Sequence, residues 1–420
     1  MSKHQDSPSK SRFLPWLIWF LGAFFYFYEN LIQVSPGVMV QDLMQALAVD
    51  AGELGVLVGM FFYTYAFIQI PAGVLADNYN VRRLLGSAVA FCVIGCFLFA
   101  SSDGMVQAAI GRLFIGLGSG FAAICSMKLA TLLFPAKRFP FLVGLMVTLG
   151  MTGSIIGSGG SLALVVESYG WRETLYGLAG LGVILGVFVV WLVRESEHTE
   201  NAPEPVKDRH ILHGLLKVVS CRRSWFVAGY GGLMFAPTSI FGGLWGTPYL
   251  MQAHQLDKPV AAGIVSLLFL GWVIGGPLTG LIAGLFEKKR PMMLIGSLGA
   301  LMCIAGILYL HHLPLFLLGS LVFFFGLFSS CFLPAFALIR EIHDEAYSGA
   351  ALGFMNTANM IGGMIGIPLV GLVLNHLWQG QMVDEVKFYT TANYVTSLSL
   401  LPIMMSVSII LLYFVKEERA

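Results

Sequence analysis

The sequence predicts an all-α membrane protein of twelve transmembrane helices, arranged as two six-helix pseudo-symmetric bundles. Three observations carry this reading. Hydrophobic residues make up 57% of the 420 residues and charged residues 11%, whereas a soluble domain carries about 25% charged residues. The apolar residues gather into runs of spanning length, about 20 residues each. The 24 Lys and Arg residues are also sorted by loop parity. Arg172, Lys258 and Lys387 alone occupy odd-numbered loops, and Arg112 and Lys128 lie inside spans. Every other basic residue sits in a tail or an even-numbered loop. Positive loops stay cytoplasmic, so both termini are expected there.

The spans read as 13–36, 52–76, 84–101, 105–133, 139–166, 172–193, 224–252, 260–286, 291–310, 313–339, 347–375 and 389–415. All are expected to be helices, because lipid satisfies no backbone hydrogen bond. Most connections are short. The exception is Arg194–Arg223, which is polar and charged, contains Pro203 and Pro205, and is predicted to be helical over His210–Val219. The expected division is a cytoplasmic tail 1–12, an N-terminal bundle 13–193, a cytoplasmic linker 194–223, a C-terminal bundle 224–415 and a tail 416–420. The six cysteines form no Cys-x-x-Cys pair and read as small packing residues, not metal ligands. No cleavable signal-peptide pattern is read at the start, and no Asn-x-Ser/Thr sequon occurs. A bacterial inner membrane is the setting this suggests. With a net charge of +1 and basic residues explained by topology, nothing points to a nucleic-acid partner.

The halves resemble each other. Gly116-Leu117-Gly118-Ser119 matches Gly326-Leu327-Phe328-Ser329 at an offset of 210. After a one-residue slip, Gly144, Thr148, Gly153 and Gly157 match Gly353, Thr357, Gly362 and Gly366. Pro71 and Gly73 have loose counterparts in Pro277 and Gly280. Parallel repeats of this kind put a solute site at their interface, near mid-membrane.

Between spans 2 and 3 stands Gly73-Val74-Leu75-Ala76-Asp77-Asn78-Tyr79-Asn80-Val81-Arg82-Arg83. It resembles the signature of the major facilitator superfamily, Gly-x-Leu-Ala-Asp-x-x-Gly-x-[Arg/Lys]-[Arg/Lys]. Gly73 would allow close helix approach. Asp77 would accept hydrogen bonds from a neighbouring helix end, and Arg82 and Arg83 would pair with carboxylates across the half interface. Such a cytoplasmic latch favours one conformer and breaks as the halves rock. Asn80 replaces the usual turn glycine, a mild change because Asn tolerates the left-handed conformation. The second-half copy, Gly280 to Arg290, keeps glycine and bases but has no aspartate. Span 4 opens with Gly111-Arg112 and then Gly116, Gly118 and Gly120, similar to the fourth-helix pattern of the same superfamily.

Arg112 lies roughly 10 Å deep in span 4, and Glu29 sits at a similar depth in span 1. Intramembrane charges face a cavity or a partner, and helices 1 and 4 of the superfamily line the central cavity. Glu29 and Arg112 are therefore expected to meet there, with Tyr26 and Gln33 on the Glu29 face. Two readings of the pair stand: a proton carrier coupled to solute, or a static ion pair between helices. Lys128 either reaches the cavity, which needs span 4 to bend, or snorkels to the cytoplasmic surface. Trp245, at the end of a glycine-rich span 7, either stacks on solute or belongs to the outer aromatic belt. Asn356 and Asn359 on span 11 either bind solute or bridge helices.

There is no Gly-x4-Gly-Lys-[Ser/Thr] loop, so ATP is not the expected energy source. No nucleophile–base pair or metal cluster suggests an enzyme, and no cofactor is implied. Ser154 stands where the antiporter pattern of span 5 has proline, which argues against drug efflux. Spans 2 and 8 lack the arginines of the nitrate carriers. A narrower likeness lies in Tyr26-Phe27-Tyr28-Glu29-Asn30, Val34-Ser35-Pro36 and Gln69-Ile70-Pro71-Ala72-Gly73. These resemble the phagosomal amino-acid transporter group of intracellular bacteria and, more faintly, an animal lysosomal dipeptide uniporter. The resemblance implies a secondary transporter of small polar solutes, amino acids or short peptides first, working by alternating access with protons as partner. Organic anions or sugar acids, drug efflux and a non-transporting membrane sensor are the alternatives.

Overall fold

The computed structural model describes residues 13–193, 208–285, 288–310, 312–344, 347–383 and 386–415. Eleven helical stretches among them are long and apolar enough to cross a membrane. The remaining expected span is helical from Arg222 to His254 but changes type in the middle. Its glycines, prolines and hydroxyl residues lower its apolar character without ending the helix.

Span 1 is α1 (Leu14–Val34), followed by a 3-10 turn and the short amphipathic α2 (Val40–Leu47). Spans 2 and 3 are α3 (Ala51–Asn78) and α4 (Val81–Ala100). Span 4 is broken at Gly120 into α5 (Met105–Ser119) and α6 (Ala122–Leu133). Span 5 comprises α7 (Phe139–Gly157) and α8 (Gly160–Tyr169), and span 6 is α9 (Trp171–Leu192). The linker helix α10 (Asp208–Ser220) covers the predicted segment. Span 7 is α11 (Arg222–Pro237), a π-helical stretch Thr238–Trp245, and α12 (Gly246–His254). Spans 8 and 9 are α13 (Lys258–Leu285) and α14 (Arg290–Tyr309). Span 10 runs through α15 (Leu315–Ser329) and α16 (Pro334–Glu341), and span 11 is α17 (Ser348–His376). A small antiparallel hairpin, β1 (Met382–Val383) with β2 (Val386–Lys387), precedes span 12, formed by α18 (Thr391–Leu398) and α19 (Leu400–Phe414).

The repeats seen in the sequence are used alike in both halves. Gly116 packs on the Phe61 carbonyl of α3, and its counterpart Gly326 packs on the Leu268 carbonyl of α13. Gly153 meets the Phe27 carbonyl of α1, and Gly362 meets the Gly232 carbonyl of α11. A side chain at any of these positions would strike backbone, which cannot yield cheaply. Gly144 and Gly353 also behave as a pair, but both face open space.

The halves touch unevenly. Toward the face that carries the 34–51 and 377–390 connections, here the far face, contacts are tight. A Cβ at Gly55 would lie 2.9 Å from the Ile367 carbonyl, and one at Gly160 would lie 2.6 Å from that of Pro259. Toward the opposite face, which holds the linker and both chain ends, Gly73, Gly280, Gly349 and Gly353 meet nothing within 4 Å. Gly73 therefore makes no close helix approach in this conformer, contrary to expectation. Asn80 also departs from expectation. Its φ of −63° and ψ of 127° are not left-handed, and its Oδ1 caps α4 by accepting from the Arg82 N–H at 2.8 Å. A side-chain acceptor strengthens an N-cap, and glycine has none.

The odd-loop cations find their reason at the far face. Lys258 of the second half pairs with Asp42 of the first at 2.9 Å. Lys387 on β2 pairs with Asp50 at 3.0 Å and also donates to Asn375 Oδ1 at 2.7 Å. The Ala51 N–H donates to the Tyr389 hydroxyl at 3.2 Å. Arg172 instead stays in its own half, donating to the carbonyls that end α4 region, Ala100 at 2.9 Å and Ser102 at 2.7 Å. Asp50 also opens α3 with a capping box to Glu53. Partial burial pushes its carboxyl up, but the Glu53 N–H and the Lys387 ammonium outweigh that and hold it below the usual range. Burial pushes the Tyr389 phenol up to about 12.

Gly116→Val and Gly326→Val should each destabilise the purified protein by about 1–3 kcal/mol or more, as overpacked sites do. Gly144→Ala and Gly353→Ala should leave the thermal midpoint unchanged or raise it slightly. Part-exposed ion pairs are worth up to about 1 kcal/mol, so Asp50→Asn should shift the far-face closed-to-open ratio by about 2- to 5-fold. Spin labels at Gln45 and Met382 would read that shift as a longer distance population. In the unmutated chain the Asp50 contribution is complete above the ordinary carboxylate pKa of about 4. It is lost as pH falls through the lowered folded value, so closure should loosen only in strong acid.

Candidate functional site

Where the halves begin to part, a cleft is lined by polar groups from both. Asn30 and Gln33 come from α1 and Ser154 from α7, while Thr238 and Ser239 come from the π-helical stretch of span 7. Phe62, Phe235 and Phe269 supply apolar walls. The cavity is about 40 Å³ in this conformer, with further space open to solvent. π-Helical segments widen the turn and recur at functional sites. Here the wide turn follows Pro237 and presents two hydroxyl residues to the cleft.

Glu29 lies behind this wall, 2% exposed. Its Oε1 accepts from Asn30 Nδ2 at 2.8 Å. Its Oε2 is buried with no hydrogen-bond partner. The phenols of Tyr26 and Tyr65 are within its electrostatic reach. A lone carboxylate in such a place must take a proton or meet a cation.

Arg112 is not that cation, and the expected meeting of Glu29 and Arg112 does not occur. Arg112 is wholly buried, and its guanidinium donates to three main-chain carbonyls. These are Ile32 and Gln33 at the end of α1 and Val58 of α3, each at 3.3 Å. Phe61 lies 5.2 Å from its charge centre. The physical reason is local. The far end of α1 passes into a 3-10 turn, helix ends carry unsatisfied carbonyls, and the forked guanidinium suits several acceptors at once. Gln33 and Val58 line the cleft, so the Arg112 charge sits just behind its wall.

The other expected residues divide. Gln33 lines the cleft. Tyr26 does not: its ring packs on Gly150 of α7, and its carbonyl accepts from Asn30 Nδ2 at 2.8 Å. Lys128 points away from the cleft and donates to the Ala76 carbonyl at the end of α3, although span 4 does break as a cavity role would have required. Trp245 is fully buried, and its indole donates to the Ile367 carbonyl at 3.0 Å. That ties span 7 to span 11 and excludes both the solute stack and the outer belt in this conformer. Asn359 is buried beside Gly231 of α11, with Oδ1 unpartnered, and Asn356 is half-buried on the same helix. Neither lines the cleft described above.

Arg82 departs from its expected role in the latch. Arg82 donates to the Val190 carbonyl near the end of α9 at 2.6 Å, within its own half. Arg83 is exposed at the start of α4. The Asp77 side chain lies outside the described residues. Asn30, Ser154, Thr238 and Ser239 were not singled out by sequence reasoning as solute contacts. The available signals were the amide next to Glu29, the serine at the antiporter proline position, and hydroxyl residues following a mid-span proline.

A model of the Major Facilitator Superfamily matches residues 18–366 and, in a second match, 228–420. Among curated relatives, the protein named "Probable sulfoacetate transporter SauU" of Cupriavidus necator is 22% identical over 83% of this chain and 85% of its own length. "Membrane sensor protein UhpC" of Escherichia coli is 24% identical over 92% of this chain and 90% of its own. Among solved structures, a bacterial homologue of the human lysosomal transporter Spinster superposes with a TM-score of 0.76. It is 14% identical and covers 96% of both chains, so the likeness shows the fold. The matched span, the twelve-helix architecture and the shared repeats agree: the chain belongs to the Major Facilitator Superfamily.

Proposed function

We propose that this transporter moves a small organic anion together with a proton by alternating access. The observation that carries the reading is the pair of charges behind one cleft wall. Arg112 is fixed there by three carbonyls, and Glu29 is left with an unpartnered oxygen. With Glu29 protonated, the cleft feels the guanidinium and favours an anion. With Glu29 ionised, the two charges offset and anion affinity falls. For scale, two unit charges about 8 Å apart at an effective dielectric of about 20 interact by about 2 kcal/mol. Coupling is reciprocal, so a bound anion favours the proton in turn. The sulfoacetate transporter among the relatives supports an anionic solute.

The basic loops support a cytoplasmic setting for the parted face, in a bacterial inner membrane. The far-face ion pairs then hold an inward-open state, and the Gly73–Arg83 segment re-engages when the halves tilt back. A second reading, amino acids or short peptides, is favoured by the same two charges: an ionised Glu29 and Arg112 complement a zwitterion.

The test is exchange and uptake in proteoliposomes with sulfoacetate, a sugar acid, alanine and a dipeptide. An inward proton gradient of about one pH unit, about 1.4 kcal/mol, should raise anion accumulation by up to about tenfold. Glu29→Gln should retain exchange and lose that stimulation. Accumulation by Glu29→Gln equal to that of the unmutated chain would exclude the proton role. Arg112→Gln should weaken anion binding by about 10- to 30-fold, with Arg112→Lys intermediate because an ammonium cannot serve the three carbonyls with one planar fork. Alanine or dipeptide exchange without anion exchange would favour the second reading, and binding without any exchange would mark a sensor.

A further inference from the structure

We propose that Asn30 is the positioning residue that joins the solute cleft to the proton site, and that the proton rides on Glu29 Oε2. The inference rests on the proposed role of Glu29 and adds the atom and the connection. The Asn30 amide is fully committed. Its two N–H groups point at the Tyr26 carbonyl and at Glu29 Oε1, both at 2.8 Å. Its Oδ1 accepts from the Ser154 hydroxyl at 3.4 Å. The Tyr26 carbonyl only accepts, so the amide nitrogen must face it and the amide cannot turn over. Glu29 Oε1 is thereby held as an acceptor in both protonation states. The arriving proton has one oxygen left, the buried Oε2 without a partner.

The transfer balances simply. A hydronium gives its proton to the Oε2 of the carboxylate, leaving water and a neutral acid. The reverse step returns the proton to water on the other side. Asn30 and Ser154 both line the cleft, so a solute that draws on the Ser154–Asn30 contact moves the amide that fixes the acid. Groups that face Glu29 from other elements are Tyr65 on α3 and Cys92 on α4, with Tyr26 on its own helix. Arg112 on α5 is turned to carbonyls. None of these is a second carboxylate or an imidazole.

Infrared difference spectroscopy of the purified chain across a pH titration reads this without any solute. A carboxylic C=O band absent from Glu29→Gln belongs to Glu29. In Asn30→Ala that band should move to higher frequency, because the oxygen loses its donor. In Asn30→Ser a short donor should shift it less, and this variant stands in should the alanine chain fail to fold. In Ser154→Ala the band should stay in place while sulfoacetate or sugar-acid affinity falls about 5- to 10-fold, roughly 1–1.4 kcal/mol. A Glu29 band unmoved in both Asn30 variants would overturn the positioning role and leave the proton reading intact. A spectrum with no band removed by Glu29→Gln would overturn the proton reading itself.

Discussion

The buried guanidinium of Arg112 organises the first half of this protein. A cation inside a bilayer needs acceptors at hand, and here they come from main chain, the carbonyls of Ile32, Gln33 and Val58. That choice ties α5 to the far end of α1 and to α3 at the depth where the cleft forms. It also leaves Glu29, the one carboxylate of the region among the described residues, without a cation. Had the two side chains paired, the site would be neutral and static. Separated, they leave a fixed positive charge and, in the proposed mechanism, a proton-accepting carboxylate behind a single wall.

Movement depends on a different asymmetry. Glycines let the halves meet backbone to backbone at the far face, where Gly55 sits on Ile367 and Gly160 on Pro259. Two ion pairs and the Ala51 N–H donated to the Tyr389 hydroxyl close that end. At the other face the corresponding glycines look into space. Each half is internally rigid because its own glycine contacts, Gly116 on Phe61 and Gly326 on Leu268, admit no side chain. Rigid halves with a lopsided interface are what rocking about a central site requires.

Much of this is legible in the sequence, for identifiable reasons. Hydropathy and the loop cations give the spans because the bilayer imposes length and sidedness. The glycine repeats give the duplication because close helix packing requires them. Even the far-face closure is marked: Lys258 and Lys387 are two of the few cations that break the parity of the loops. What stays hidden is direction. Depth along a helix is additive and readable, so Glu29 and Arg112 were placed level with each other. Whether two side chains turn toward one another depends on how helix ends spend their carbonyls, which no spacing encodes. The same holds for Lys128, captured by the Ala76 carbonyl, and for Asn80, whose use as a cap depends on where α4 begins. Asn30, Ser154, Thr238 and Ser239 are ordinary residues singly, and only the fold gathers them.

In the proposed mechanism, anion and proton binding are coupled across the wall formed by Asn30, Gln33 and Val58. Proton uptake on anion binding to the purified chain, measured in weakly buffered detergent solution, addresses it most directly. Coupling of about 2 kcal/mol predicts uptake that peaks at about 0.7 proton per bound anion, as reciprocal linkage demands, and none in Glu29→Gln. Equal uptake in both chains, or anion binding by the unmutated chain with no proton uptake at any pH, would contradict it.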